Sequence, residues 1–311
     1  MTRVTEAGVT SGTPTGSSEV PADPTRDGGF GPAPVGILRG VSTPSAARRP
    51  LDRLRLDGGH PALMPDLTVE VVEETPSTNA LVAERARAGA PDGLVVVAEH
   101  QTAGRGRLDR TWVTAPGTSA TFSMLLRPTR PAETWPWLPL LTGYAVDKAL
   151  KAVGLDAGVK WPNDVLVGDL KIAGILLERV DTPDGPAAVV GVGVNVDHTA
   201  DELPVETATS LSLALGRPVD RTDVLVQVLS AVREAYDAWE VGGEAASEHL
   251  AESYAAACVT VGRRVRVELP DGSTLLGQAT GVDRSGCLQV RDDAGAQHTV
   301  AAGDVVHVRA I

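Results

Sequence analysis

Cysteine, aromatic residues and long apolar runs are all scarce in this 311-residue chain. The only cysteines are Cys258 and Cys287, and no His-x-x-x-His pair occurs, so we expect neither a disulfide framework nor a transition-metal site. Aromatic residues make up 3% of the chain, so alanine, valine and leucine must fill most of the core. Apolar runs such as 94–98 are too short to cross a bilayer, and no apolar signal-peptide core is present. These absences predict a cytoplasmic protein with two free thiols.

Basic residues are also fewer than acidic residues. The chain has 40 acidic residues against 28 lysines and arginines, which gives a formal net charge of -12. Broad nucleic-acid binding depends on neutralising phosphates, so we expect neither nucleic-acid nor membrane partners. A local cluster of cations is more informative in such an acidic chain, because the remaining surface would repel an anionic ligand.

Three regions of different composition follow one another along the chain. Residues 1–65 are rich in proline and glycine and lack helical or strand periodicity, which predicts a disordered leader. Residues 66–258 alternate β-rich runs with amphipathic stretches, which predicts an α+β domain of catalytic size. Residues 259–311 contain short strands divided by glycine turns, which predicts a small β-barrel.

The periodicity of the middle region also predicts individual elements. Thr75-Pro76-Ser77 has the hydroxyl groups and the proline that are typical of a helix start. Turn residues at 168–169 and 181–185 separate three apolar runs, which predicts antiparallel hairpins. We expect helices at 75–89, 137–153, 222–239 and 245–257. We expect strands at 67–72, 94–98, 118–126, 165–167, 172–177 and 187–196.

A loop of alternating glycine and arginine follows the strand predicted at 94–98. In Gly104-Arg105-Gly106-Arg107, the glycines allow close approach of the backbone, and the arginine forks suit carboxylate and phosphate groups. Taken alone, the tetrapeptide fits a solvated turn equally well. Asp109 stands where a dinucleotide fingerprint needs its third glycine, and no Gly-Lys pair occurs, so Rossmann and P-loop sites are excluded.

A second polar segment is Lys160-Trp-Pro-Asn-Asp164, in which the proline predicts an extended turn. Its Asn163 and Asp164 are suited to hydrogen bonding or to cation ligation. Lys171 begins the next apolar run, and taken singly it fits a strand-end lysine whose amine reaches solvent.

One type of reaction suits a group of four cations, namely Arg105, Arg107, Lys160 and Lys171. Activation of a carboxylate by ATP brings an anionic oxygen to an anionic α-phosphate. Two such charges at roughly 4 Å repel by about 4 kcal/mol at an effective dielectric constant near 20. Fixed cations would offset this repulsion, and Mg²⁺ would assist, with Asp164 as a candidate ligand.

Four segments of the chain, in this order, resemble those of biotin protein ligases. They are Ser77-Thr-Asn79; Glu99-His-Gln-Thr-Ala-Gly-Arg-Gly-Arg107 with Trp112; Lys160–Asp164 with Lys171-Ile-Ala-Gly174; and Gly191-Val-Gly-Val-Asn195. The resemblance covers about residues 67–215 well and the β-rich end more loosely. It implies a mixed sheet with helices, similar to class II aminoacyl-tRNA synthetases, followed by a small Src-homology-like β-barrel.

The resemblance also implies an activity. Biotin and ATP would form biotinyl-5'-AMP with release of pyrophosphate, and biotin would pass to a lysine of the biotin carboxyl carrier domain of an acyl-CoA or pyruvate carboxylase. Lys171, Arg105 and Arg107 would be catalytic. Biotin would contact Ser77, Thr78, Asn79, Gln101, Arg105, Gly106, Arg107, Lys171 and Gly174. The nucleotide would contact Arg107, Trp112, Lys160, Asn163 and Asn195.

Two alternatives of the same fold remain open. A lipoate or octanoate ligase typically carries a glycine triplet, which is absent here, and would need only an apolar tunnel where Ser77, Thr78 and Gln101 offer polar groups. A bifunctional ligase and repressor would carry a helix-turn-helix, whereas residues 1–65 show no amphipathic helix. One departure from the family pattern is Leu108-Asp109, which follows the second arginine where a small residue is common.

Overall fold

The strands form a seven-stranded mixed sheet, a five-stranded antiparallel sheet and a two-stranded hairpin. The computed structural model describes residues 48–108 and 110–308. The strands are β1 (Thr68–Thr75), β2 (Leu94–Gln101), β3 (Gly104–Arg105), β4 (Thr111–Trp112), β5 (Ser119–Leu126), β6 (Ala157–Lys160), β7 (Asp164–Val167), β8 (Leu170–Thr182), β9 (Gly185–Asn195), β10 (Arg264–Glu268), β11 (Thr274–Val282), β12 (Leu288–Asp292), β13 (Gln297–Val300) and β14 (Asp304–His307). The helices are α1 (Thr78–Arg87), α2 (Trp137–Ala152), α3 (Leu211–Leu215) and α4 (Arg221–Ala257), with short helical turns at Arg55–Gly59, Ala132–Thr134 and Ala200–Glu202.

The large sheet has the strand order β1-β2-β5-β9-β8-β7-β6. Only β1 and β2 pair in parallel, and the other neighbours are antiparallel. The predicted hairpins β7–β8 and β8–β9 are confirmed. Gly168 lies in the first turn and Gly185 begins β9 directly after the second, and their φ angles of 58° and 105° lie in the left-handed region that favours glycine.

Helices cover both faces of this sheet. On one face α1 packs its buried Val82 against Val96, Leu125 and Val189, each fully buried and worth about 1.5–3 kcal/mol of hydrophobic stabilisation. On the other face α2 and α4 pack against each other and against the sheet. The two helices predicted near the end of the domain are joined as α4, which is interrupted at Gly243.

A helix does start after the segment Thr75-Pro76-Ser77, but later than predicted, because Thr75 ends β1 and Pro76 precedes the cap residue. Ser77 is the N-cap residue, and its side chain accepts a hydrogen bond from Ala80 N at 3.5 Å. This cap satisfies one of the free N–H groups of the first turn. Because α1 starts directly after β1, Thr78 and Asn79 lie above the sheet at the start of the helix.

The five C-terminal strands form an antiparallel sheet in the order β13-β12-β11-β10-β14, as the all-β prediction requires. Val265, Val267 and Val290 are fully buried within it. Trp137 and Trp161, which lie on the large-sheet side, donate indole N–H groups to the carbonyls of Arg284 and Gly286, at 2.8 and 2.9 Å. The two sheets are therefore held together by buried tryptophans, although the division at residues 258–259 stays a prediction.

The prediction of disorder is wrong for residues 48–65. Leu51 and Leu56 are buried in the core, and Leu51 N donates to Glu99 Oε1 at 2.5 Å. Arg48 forms an ion pair with Glu202. These contacts join residues far apart in sequence, so no local pattern reveals them. Residues 1–47 lie outside the described residues, so disorder there stays a prediction.

Within the described ranges, no helix is both long enough and apolar enough to cross a membrane. Cys258 and Cys287 are both free thiols.

Candidate active site

A pocket lies over the middle of the large sheet, beside the start of α1. Its floor is formed by β8 and β9, and its rim by the hairpin β3–β4. All but two of the predicted site residues line it. Those that do are Ser77, Thr78, Asn79, Gln101, Arg105, Gly106, Arg107, Trp112, Asn163, Asp164, Lys171 and Gly174.

One end of the pocket is a buried polar network. Gln101 Oε1 accepts hydrogen bonds from Thr78 N at 2.7 Å and from Thr78 Oγ1 at 2.9 Å. The hydroxyl of Ser123 lies 2.7 Å from Thr78 Oγ1 and 2.5 Å from Asn79 Oδ1. Because buried polar groups that are mutually hydrogen-bonded hold one another in place, the side chains at this end of the pocket are preorganised. Ser123 was not among the predicted site residues, although polar residues alternate with apolar ones along β5.

Arg105 is held at this same polar end. Its Nη2 lies 3.1 Å from Glu178 Oε1, and Asn79 Nδ2 donates to Glu178 Oε2 at 2.7 Å. Glu178 lies four residues along β8 from Gly174, or about 13 Å at the usual strand rise. Arg105 and Lys171 line the same pocket, but they are paired with different carboxylates, Glu178 and Asp164.

Glycines form the floor between the two ends of the pocket. A Cβ on Gly191 would lie 2.2 Å from Asn79 Oδ1, and one on Gly193 would lie 2.6 Å from the Trp112 ring. Only glycine permits these approaches. The indole Nε1 of Trp112 and the hydroxyl of Thr121 are buried without hydrogen-bond partners. Such unpaired groups are costly, so their presence in a pocket favours a ligand that pairs with them.

Lysine amines and a carboxylate form the opposite end. Lys171 Nζ lies 2.6 Å from Asp164 Oδ1 and 5.5 Å from the Trp112 ring centroid. Lys160 Nζ lies 4.0 Å from Asp164 Oδ2 but does not line the pocket. Asp164 is thus placed between two amines, and Lys160 partly neutralises Asp164 instead of facing the pocket. The Trp161–Pro162 peptide bond of this turn is cis.

Arg107 reaches across to the C-terminal sheet. Its guanidinium donates to Asn163 Oδ1 at 3.1 Å and to the Gly303 carbonyl at 3.3 Å. Burial lowers the pKa of Arg107 below its usual value, while the carboxylates of Asp304 and Asp164 oppose the shift. Since Arg107 is paired here with neutral groups, its charge is available to an anionic ligand.

Asp304 of β14 also lines the pocket, and the sequence analysis missed it. Its carboxylate forms an ion pair with Arg110 of the hairpin. Burial acts to raise the pKa of Asp304, but Arg110, with Lys160 and Arg107 nearby, leaves it below its usual value. The C-terminal sheet therefore contributes a charged group to the pocket. The partners are 194 positions apart, so no sequence spacing indicates the contact.

One predicted contact gains no support, and the departure at Leu108 has a visible consequence. Asn195 is buried outside the pocket, where its Nδ2 donates to the Thr209 carbonyl at 3.0 Å. Its predicted contact with a nucleotide therefore gains no support from this geometry. Leu108 is exposed at the tip of the hairpin with φ of 54°, a conformation that costs a leucine about 1–2 kcal/mol. Asp109 lies outside the described residues.

Across the described ranges, no group of three or more histidine, cysteine, aspartate or glutamate side chains is arranged to hold a metal ion. Asp164 and Asp304, the two carboxylates that line the pocket, are both paired with basic side chains. The donor set therefore fits a cation that arrives with an anionic ligand better than one held by protein alone.

The fold has counterparts among known proteins. Residues 71–195 match the Biotin/lipoate A/B protein ligase family, and residues 260–308 match the Biotin protein ligase C terminal domain. A biotin protein ligase from Aquifex aeolicus, solved in complex with biotin and ATP, has a TM-score of 0.68 at 27% identity, covering 78% of this chain and 99% of that one. These matches define the class as ligases that attach biotin or lipoate to proteins.

Within this class, the sequence relatives are ligases for biotin. The chain is 39% identical to the biotin--[acetyl-CoA-carboxylase] ligase of Mycobacterium tuberculosis over 78% of its own length and 89% of that protein. It is 36% identical to the bifunctional ligase/repressor BirA of Bacillus subtilis over 73% of its own length and 70% of that protein. The chain belongs to the biotin protein ligase family.

Proposed function

We propose that this enzyme activates biotin with ATP and transfers it to a lysine of a biotin carboxyl carrier domain. The observation that carries the proposal is a single pocket with a polar, hydrogen-bonded end and a cationic end, joined by a glycine floor. A fused ureido ring needs polar partners, whereas a carboxylate and a phosphate need cations. The pocket offers both kinds of group in that order.

The chain's own residues suggest how the reaction proceeds. The ring of biotin lies at Thr78, Asn79 and Gln101, and its tail crosses the glycine floor towards Lys171. The carboxylate attacks the α-phosphorus of ATP, pyrophosphate leaves, and biotinyl-5'-AMP forms. Lys171 and Arg107 offset the negative charge that gathers as the two anions meet. The neutral amine of the carrier lysine then attacks the acyl carbon, and AMP leaves with the bonding electrons.

Arg105 takes a different part in this scheme from Lys171. Because it is paired with Glu178 at the polar end, it closes the pocket over the ring of biotin. Mg²⁺ would enter bound to the phosphates of ATP and neutralise part of their charge. Asp164 could join its ligands once Lys171 turns to the substrate, because one of its oxygens would then be free.

Biotin-dependent exchange of pyrophosphate into ATP tests the first step. The wild-type chain should catalyse exchange with biotin and not with lipoate, because a dithiolane ring cannot pair with Thr78, Asn79 and Gln101. Exchange with lipoate and none with biotin would show that the chain is a lipoate ligase and would contradict the proposal.

Transfer tests the second step and the partner. The purified adenylate complex should label a biotin carboxyl carrier domain at its acceptor lysine, and a carrier with that lysine changed to arginine should remain unlabelled. Both free thiols and the need for ATP are consistent with work in the cytoplasm, which we propose as the site of action. A gel shift with biotin, ATP and promoter DNA would reveal repressor activity, which we do not expect.

A further inference from the structure

Glu178 is a charged residue at the polar end of the pocket, and its only part in the scheme above is its pairing with Arg105. Its carboxylate faces two donors, Asn79 Nδ2 at 2.7 Å and Arg105 Nη2 at 3.1 Å. Its side chain is 31% exposed, so the carboxylate is sheltered without being cut off from water. Glu178 contacts neither the glycine floor nor the cationic end around Lys171. Any effect of Glu178 on the substrate must therefore pass through Asn79 and Arg105.

The hydrogen bonds around Asn79 leave its amide a single orientation. Nδ2 donates to Glu178 and also to the Leu176 carbonyl at 3.3 Å, whereas Oδ1 faces the hydroxyl of Ser123 at 2.5 Å. A carboxylate and a carbonyl can only accept hydrogen bonds. If the amide turned over, its oxygen would face two acceptors, and the cost of an unpaired buried group would oppose that state.

We propose that Glu178 is a positioning residue that fixes the amide of Asn79 with its oxygen towards the ring of the acid substrate. The inference rests on the proposed function, because it requires biotin. The ureido ring of biotin carries N–H donors, and an oxygen held towards them supplies an acceptor. Arg105 neutralises the carboxylate that does the positioning. Recognition of the ring is thereby set by a residue that does not touch it.

The alternative is that the pair of Glu178 and Arg105 only stabilises the fold. A second ion pair in the chain, away from the pocket, serves as a control for that effect. Arg85 of α1 and Glu70 of β1 form an ion pair of the same 3.1 Å length, and their side chains are 39% and 36% exposed. Neither residue lines the pocket. Glu70→Ala thus reports what loss of an exposed arginine pair does to the protein without a change at the ring.

Calorimetric titration of biotin without ATP tests the proposal apart from catalysis. Glu178→Ala should raise the Kd for biotin about tenfold or more, because an orienting charged hydrogen bond is lost. Glu178→Gln should stay within about threefold of wild type, since its amide oxygen still accepts from Asn79. Glu70→Ala should match wild type. Equal weakening by the alanine and glutamine variants, or none by either, would overturn the proposal.

A double-mutant cycle asks whether Glu178 acts through Asn79. Asn79→Ala with Glu178→Ala should bind biotin no more weakly than Asn79→Ala alone, because the second change removes nothing further. Losses that multiply would show independent roles and overturn the inference. A folded wild-type chain that does not bind biotin at all would overturn the proposed function, and with it this inference.

Discussion

Replacing Lys171 by alanine removes the amine that we place beside the reacting carboxylate and α-phosphate. The Lys171 side chain is 34% exposed, so an effective dielectric constant near 20 is appropriate. At roughly 4 Å from a phosphate oxygen, the lost charge is then worth about 4 kcal/mol. If all of that stabilisation belongs to the transition state, adenylate formation should slow about a thousandfold.

The same change should leave the fold intact. Asp164 loses its partner at 2.6 Å but keeps Lys160 at 4.0 Å, and an ion pair this exposed contributes about 0–1 kcal/mol to stability. Lys148→Ala is the matched control, because Lys148 is an exposed lysine on α2 outside the pocket. Biotin-dependent pyrophosphate exchange measures the rate, and thermal unfolding checks the fold. Exchange by a folded Lys171→Ala within about tenfold of wild type would refute the electrostatic reasoning.

Three further predictions follow from other contacts. Gly191→Ala should abolish biotin binding in a titration while circular dichroism stays unchanged, because the new Cβ would lie 2.2 Å from Asn79 Oδ1; normal binding would show that the floor tolerates a side chain. Cys258→Ser and Cys287→Ser should retain pyrophosphate exchange, since no covalent nucleophile takes part; loss of exchange by a folded variant would contradict the mechanism. Burial lowers the pKa of His198 from 6.5 to about 4. As the pH drops, His198 is therefore protonated first in the unfolded chain, and the free energy of unfolding falls between about pH 6.5 and pH 4. Urea midpoints over that range should fall less for His198→Gln than for wild type, and parallel curves would exclude His198 as a cause.

Local patterns predicted a large share of this molecule. The N-cap at Ser77, the hairpins around Gly168 and Gly185 and the limits of α2 all follow from residues within a few positions of one another. Such features depend on backbone preferences and on the period of apolar residues, which a linear sequence displays directly. The glycine–arginine loop and Lys171 were likewise identified by residue type and order, and the structure places them in one pocket.

Other features arise only when distant segments pack together. Glu178, Ser123 and Asp304 approach the pocket from three different strands, and their partners are between 44 and 194 positions away. Residues 48–65 look solvated in sequence, yet Leu51 and Leu56 are buried once the chain folds back on the sheet. Arg105 and Lys171 carry the same charge and lie in the same pocket, but carboxylates on different strands draw them to opposite ends. Sequence thus determines which charges are present and which segments form strands. Strand register and side-chain contact, which depend on the whole packed sheet, determine which charge meets which.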